Sequence, residues 1–300
     1  MLSALRWLLC GCLVIGLPVA AACPPADQDR EGLLRLRAAG FDVAGDAARQ
    51  SLALGLLGCL GDADPALRDG VAYEGLSHWL RAGKIDGATR EALRLQLQAM
   101  LAAEGDDSDG LRPPFAALVL SEVARTDRVS PWLEPAQRAS LVDAAASYLA
   151  GVRDYRGFDP GQGWRHGVAH GADLAMQLAL NPALDRPQLD SLLDAVARQV
   201  APPRAPPYVH GESERLVRPV VFALQRGFHD PGEWARWLEK VSAPSPHSDW
   251  AQAYLSAEGL AKRHNTRAFL LALHLALRES GSEPLQAYVP AVVAALQATG

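Results

Sequence analysis

The sequence predicts an all-α fold of stacked antiparallel helix pairs, with a closed α/α toroid as the alternative arrangement. Three observations carry this. Apolar residues recur at helical spacing in Ala- and Leu-rich runs: Leu33, Leu34 and Leu36, then Leu52, Leu54, Leu56, Leu57 and Leu60, then Leu93, Leu95, Leu97, Met100 and Leu101. Ala and Leu are strong helix formers. Alternating segments rich in Val, Ile and Thr are almost absent, so no sheet is expected. Proline stands at first-turn positions in Asp64-Pro65, Ser130-Pro131, Arg186-Pro187 and Asp230-Pro231, where its missing N–H is not needed.

From the N-terminus, residues 1–22 read as a secretory signal and not as part of the fold. Arg6 supplies a weak positive start, Trp7 to Leu17 is an uncharged apolar run, and Pro18 precedes Ala20-Ala21-Ala22, a small-residue cleavage site. The run is shorter than the roughly 20 residues that a membrane-spanning helix needs, and charges interrupt every later apolar stretch. Cys23 follows the alanines directly, the place of a lipidated cysteine, although Ala20 stands where leucine is usual. The expected location is therefore the periplasm, or the outer membrane through a lipid anchor at Cys23; lasting anchoring needs more than one lipid chain. Cys59 then reads as a buried core thiol. Without lipid, a Cys23–Cys59 disulfide is open to an exported chain.

Residues 23–300 are expected to form one all-α domain. Glycine- or proline-rich breaks near 61–64, 82–87, 105–114, 157–163, 202–207, 243–246 and 280–284 delimit about a dozen helices with short connections. Asp230-Pro231-Gly232-Glu233 has capping-box spacing. The stretch from Leu56 to Leu76 resembles the HEAT-repeat pattern, in which an apolar helix end meets a D-x-D-P turn (Asp62 to Pro65) and Arg68 follows in the next helix. Helical repeats bury their faces only against neighbours, so a HEAT-like α/α superhelix is the specific form expected.

Charge excludes one class of partner. The chain carries 29 Lys and Arg against 34 Asp and Glu, a net of −5, and has no basic tract with interleaved aromatics. Nucleic-acid affinity rests on clustered Lys and Arg.

The densest chemistry lies between Gly157 and Gln177. A glycine-rich turn runs into a helix carrying His166, His170, Asp173 and Gln177. On an ideal helix His170 lies about 40° from His166 and Asp173 about 20° to the other side, so all four share one stripe on an otherwise apolar helix. Two histidines at i and i+4 are half of a zinc site, and Asp173 supplies a third ligand. H-x-x-x-H lacks the glutamate of H-E-x-x-H, so no general base is built in. Trp164 at the helix entry walls a pocket or packs. His210, Glu212 and Glu214 form a second polar cluster at another helix start, where acidic residues also answer the helix dipole. There is no G-x-S-x-G elbow, phosphate-binding loop, dinucleotide fingerprint or C-x-x-C pair.

Several of these motifs together resemble one bacterial family, catalogued as domain of unknown function 2785. They are Asp62 to Leu80, Phe115 to Ser121, above all Arg153 to Leu174, and then Glu212 to Leu216 and Asn265 to Leu273. The resemblance covers about 55–280. It implies an all-helical, HEAT-like fold and no assigned activity. Arg165 departs from the alanine usual there. Gly167 to Gly171 is also similar to the G-x-x-H-G of lanthionine-cyclase-like toroids, but the two zinc-binding cysteines those need are missing.

The functional expectation is a non-enzymatic binding or scaffold module of the cell envelope, holding a protein, peptide or envelope component and needing no cofactor, with Trp164, Gln177 and His210 touching the ligand. The alternative is a metal-dependent hydrolase-like enzyme, in which His166, His170 and Asp173 hold zinc or another divalent ion and Glu212 or Glu214 is the base.

Overall fold

The computed structural model describes residues 22–102 and 110–300; the expected signal segment lies outside the described residues except for Ala22. The described chain is all-α apart from one small hairpin. It opens with α1 (Arg30–Ala38) and α2 (Asp46–Gly55), then a 3-10 turn (Leu56–Gly61). α3 (Pro65–Leu67) passes through a π-helical turn (Arg68–Tyr73) into α4 (Glu74–Arg81). α5 (Gly87–Ala102), α6 (Arg112–Val129) and α7 (Pro135–Gly151) follow. The hairpin β1 (Phe158–Asp159) and β2 (Gly163–Trp164) precedes α8 (Gly167–Ala179), α9 (Arg186–Val200) and α10 (Glu212–Gln225). The chain ends with α11 (Pro231–Ser242), α12 (Trp250–Ala253), α13 (Ala257–Arg278), α14 (Glu283–Gln286) and α15 (Val289–Ala298).

Helix starts follow the local chemistry. Asp64 caps α3 by accepting from the Ala66 N–H, with Pro65 at the first helical position. Asp185 with Gln188, and Asp230 with Glu233, form complete capping boxes. The Ser130-Pro131 start is corrected: Ser130 ends α6, and the next helix begins at Glu134-Pro135. The buried Asp127 carboxylate accepts from the N–H groups of Trp132 and Leu133 at 2.9 and 2.8 Å, holding 131–133 as a loop.

Successive helices alternate between two layers. In one, the π turn and α4 pack on α6, α6 on α8, α8 on α10 and α10 on α13. In the other, α2 packs on α5, α5 on α7, α7 on α9, α9 on α11 and α11 on α15. The pairs α5–α6, α7–α8 and α9–α10 join the layers. Buried apolar side chains from Leu33 to Ala295 form one cluster between them, including Trp79, whose indole N–H donates to the Phe41 carbonyl at 2.9 Å.

Two further differences from the sequence reading have physical causes. The hairpin pairs Phe158 with Trp164 and Asp159 with Gly163; it is too short to show an alternating pattern, and Gly163, at φ +76°, supplies the backbone its turn needs. Cys59 is buried but is no free thiol: its sulfur is bonded to Cys23. The same Cys23 sulfur cannot also carry a lipid thioether. Among the described residues no helix is long and apolar enough to cross a membrane.

Candidate functional site

The two long connections, 152–166 and 201–211, both deliver the chain to the layer of α6, α8 and α10, and they meet where those three helices begin. Pro114 lies in the first turn of α6, His166 is the N-cap residue of α8, and His210 stands just before Gly211, the N-cap of α10. Three positive helix ends therefore face one place.

Arg68 fixes this region. It is completely buried, and its guanidinium donates to the carbonyls of Asp62 (2.9 Å), Gln162 (2.6 Å) and Trp164 (3.3 Å) and to the Asp69 carboxylate (2.8 Å). It also lies 4.7 Å above the Phe115 ring. One side chain thus ties the hairpin to the π-helical turn and to α6. Asp159 shapes the hairpin tip by accepting from the N–H groups of Gly161 and Gln162 at 2.8 and 2.9 Å.

His166 adopts left-handed backbone (φ 53°, ψ 38°), a conformation that costs a non-glycine residue on the order of 1 kcal/mol. The turn aims its ring across to α10, where Nε2 is 3.1 Å from the His210 carbonyl. One helical turn on, His170 Nδ1 is 3.2 Å from the Pro114 carbonyl. A carbonyl only accepts, so these nitrogens carry the protons. His166 is left with Nδ1 as a lone-pair acceptor and His170 with Nε2, and no residue among those described hydrogen-bonds either. Burial, aided by Arg215, lowers the His166 pKa to about 4. Burial, with His166 and Arg215 behind it, lowers that of His170 to about 3. Both rings are neutral near pH 7.

The rings form a chain. Trp164 stacks on His166 at 4.2 Å between centroids, His166 meets His170 edge-on at 5.7 Å, and His170 meets Phe115 edge-on at 5.1 Å. His210 stands 6.3 Å from His166 and packs over Gly157, where a Cβ would fall 2.2 Å from its Nδ1. Together with Tyr73, Asp173 and Arg215 they wall an open cleft of about 540 Å³.

The structure gathers part of the expected site. Trp164, His166, His170, Asp173 and His210 all line the cleft. The expected metal triad does not assemble as a ligand set: Asp173 is ion-paired with Arg215 and lies 3.7 Å from Arg218. Burial pushes its carboxyl pKa up against the pull of the two arginines. Among the described residues no three His, Cys, Asp or Glu side chains stand where they could hold a metal ion. Gln177 is drawn away to accept from Arg128 Nε at 3.1 Å. Glu212 is buried beneath the 201–211 connection, accepting from the His210 N–H at 2.9 Å. Glu214 faces the neighbouring groove between α10 and α13. Sequence reasoning missed Arg68, Tyr73, Phe115 and Arg215. All four lie in motifs quoted for other reasons, Arg68 and Tyr73 in Asp62 to Leu80, Phe115 at the head of Phe115 to Ser121, and Arg215 between Glu214 and Leu216, but none was read there as part of a site.

Fold and cleft together define an all-α protein with a polar and aromatic cleft where helices of one layer begin. The chain belongs to the family described as protein of unknown function (DUF2785), whose model matches residues 98–275. The match is shorter than the expected 55–280 and leaves the 62–80 motif outside it. No curated protein and no solved structure matches the chain.

Proposed function

We propose that this protein is an exported binding module of the cell envelope, and that the cleft at the start of α8 holds a segment of a partner protein or peptide. One observation carries the reading: two buried neutral imidazoles, fixed in opposite tautomers, each present an unpaired nitrogen beside Trp164 and Arg215. A general acid or base works best with a pKa near the operating pH, and values of about 4 and 3 lie far below neutrality. Fixed acceptors beside an aromatic ring, in a cleft that Asp69 and Glu74 also line and where Arg215 is paired with Asp173, suit recognition of N–H donors. The Cys23–Cys59 disulfide supports export to an oxidising compartment and favours a soluble periplasmic protein over a lipid-anchored one. A HEAT-like stack, with repeated helix pairs presenting one face, accords with such a role.

Peptides selected from a random display library on the full chain test this. Selected sequences should bind Trp164→Ala and Arg215→Gln variants at least about tenfold more weakly, a loss of roughly 1.4 kcal/mol. Equal binding by the variants contradicts the proposal. So does stoichiometric zinc that copurifies with the protein and is lost in His170→Asn.

A further inference from the structure

On the other side of the 152–166 connection lies a second hollow, of about 520 Å³, between the ends of α7 and α9. Arg153, Arg198 and Arg204 line it, with Tyr155, Pro202 and Pro203, and no acidic residue is among the side chains that form it. We propose that it binds a phosphate ester: the three guanidinium groups take the phosphate, and Tyr155 with the two prolines walls the organic part.

Basic residues often gather at helix C-termini to answer the exposed carbonyls, but here Gln199, the Tyr208 hydroxyl, Lys262 and one nitrogen of Arg153 meet that need without Arg198 or Arg204. Gln199 Nε2 donates to the carbonyls of Leu149 at 2.8 Å and Val152 at 3.2 Å. Arg153 Nη1 donates to those of Ala150 and Val152 at 3.0 and 2.7 Å. The Gln199 carbonyl accepts from the Tyr208 hydroxyl at 3.1 Å, and that of Ala201 from Lys262 at 3.4 Å. Arg198 and Arg204 are left with no hydrogen bond or ion pair to any described residue. Two helix ends contribute about half a negative charge each, against three arginines with Lys262 beside them. The surplus is at least two positive charges, concentrated on a chain whose net charge is −5. Arg204 reaches the hollow from left-handed backbone, φ 64°, a further cost in the unliganded protein. Guanidinium groups are suited to this ligand because their planar fork matches phosphate oxygens two at a time.

The phosphate can come from a soluble ester or from a lipid headgroup, and one experiment separates these. Wild type and the Arg198→Gln/Arg204→Gln variant, both exposed changes that leave the capping bonds intact, are titrated calorimetrically with glycerol 1-phosphate. Both are also sedimented with phosphatidylglycerol vesicles and with neutral phosphatidylcholine vesicles. Wild type should bind the soluble ester, with affinity falling as salt rises, and the variant at least about tenfold more weakly. That outcome assigns the site to soluble esters. Binding to phosphatidylglycerol vesicles alone, lost in the variant, assigns it to a lipid headgroup. Failure to bind either probe, or equal binding by variant and wild type, overturns the proposal. Arg215→Gln, in the cleft at α8, should leave both titrations unchanged, so the two sites stand or fall separately.

Discussion

Lowering the pH should destabilise this protein through two named side chains. His166 and His170 have pKa values of about 4 and 3 in the folded chain, against an ordinary 6.5. A folded pKa below the unfolded one means that the unfolded chain takes up protons first as pH falls. The loss begins near pH 6.5 and is complete only below the folded values. Between pH 7 and pH 5 each ring costs about 2 kcal/mol, and the pair about 4 kcal/mol. Urea unfolding at both pH values, monitored by tryptophan fluorescence, measures the difference. Carboxylates also titrate, so the comparison is with the His166→Gln/His170→Asn variant, whose amides keep a donor facing the His210 and Pro114 carbonyls. Wild type should lose about 4 kcal/mol more than the variant over that interval. Parallel losses would refute the assignment of buried, neutral imidazoles.

Three other outcomes follow from the packing. Arg68→Met keeps the bulk over Phe115 but removes the tie between hairpin and π-helical turn; it should cost about 3–5 kcal/mol in urea unfolding and shift Trp164 emission to longer wavelength. Breaking the Cys23–Cys59 bond with paired serines frees a 36-residue separation and should cost about 3–4 kcal/mol by chain entropy, with no change when wild type is compared with the variant under reducing conditions. Gly157→Ala places a methyl group within 2.2 Å of His210 Nδ1. The ring can rotate away, but His210 Cβ would also stand 2.9 Å from the new methyl, so the 201–211 connection must shift: binding of selected peptides should fall about tenfold or more and urea unfolding should show a loss of about 1–3 kcal/mol.

The helical class was legible because the Ala and Leu periodicity and the Asp-Pro starts are local. Asp64 and Asp230 cap as their spacing implies, and at the Arg186-Pro187 start the cap is Asp185, one residue earlier. Ser130-Pro131 misled because the loop there is held by Asp127, whose carboxylate is itself fixed by Arg138 in the next helix and by Asn181, 54 residues on. The histidine stripe was legible as a cluster but not as chemistry. Its spacing placed His166 and His170 together, one turn apart. Nothing local showed that Asp173 would turn to Arg215, 42 residues on, or that each imidazole would be fixed by a carbonyl distant in sequence, that of His210 for one and of Pro114 for the other. Arg68 was visible in a repeat-like motif, yet its role depends on carbonyls 94 and 96 residues away. Pairing of Cys23 with Cys59 was one of two readings of the same sulfur, and only the folded chain brings the two cysteines together.

Long-range proton–nitrogen NMR of the histidine rings at pH 6 is the most direct measurement. His166 should appear neutral with its proton on Nε2, and His170 neutral with its proton on Nδ1. An imidazolium at either position, or the reverse pair of tautomers, would contradict a cleft built on two fixed, unpaired acceptors.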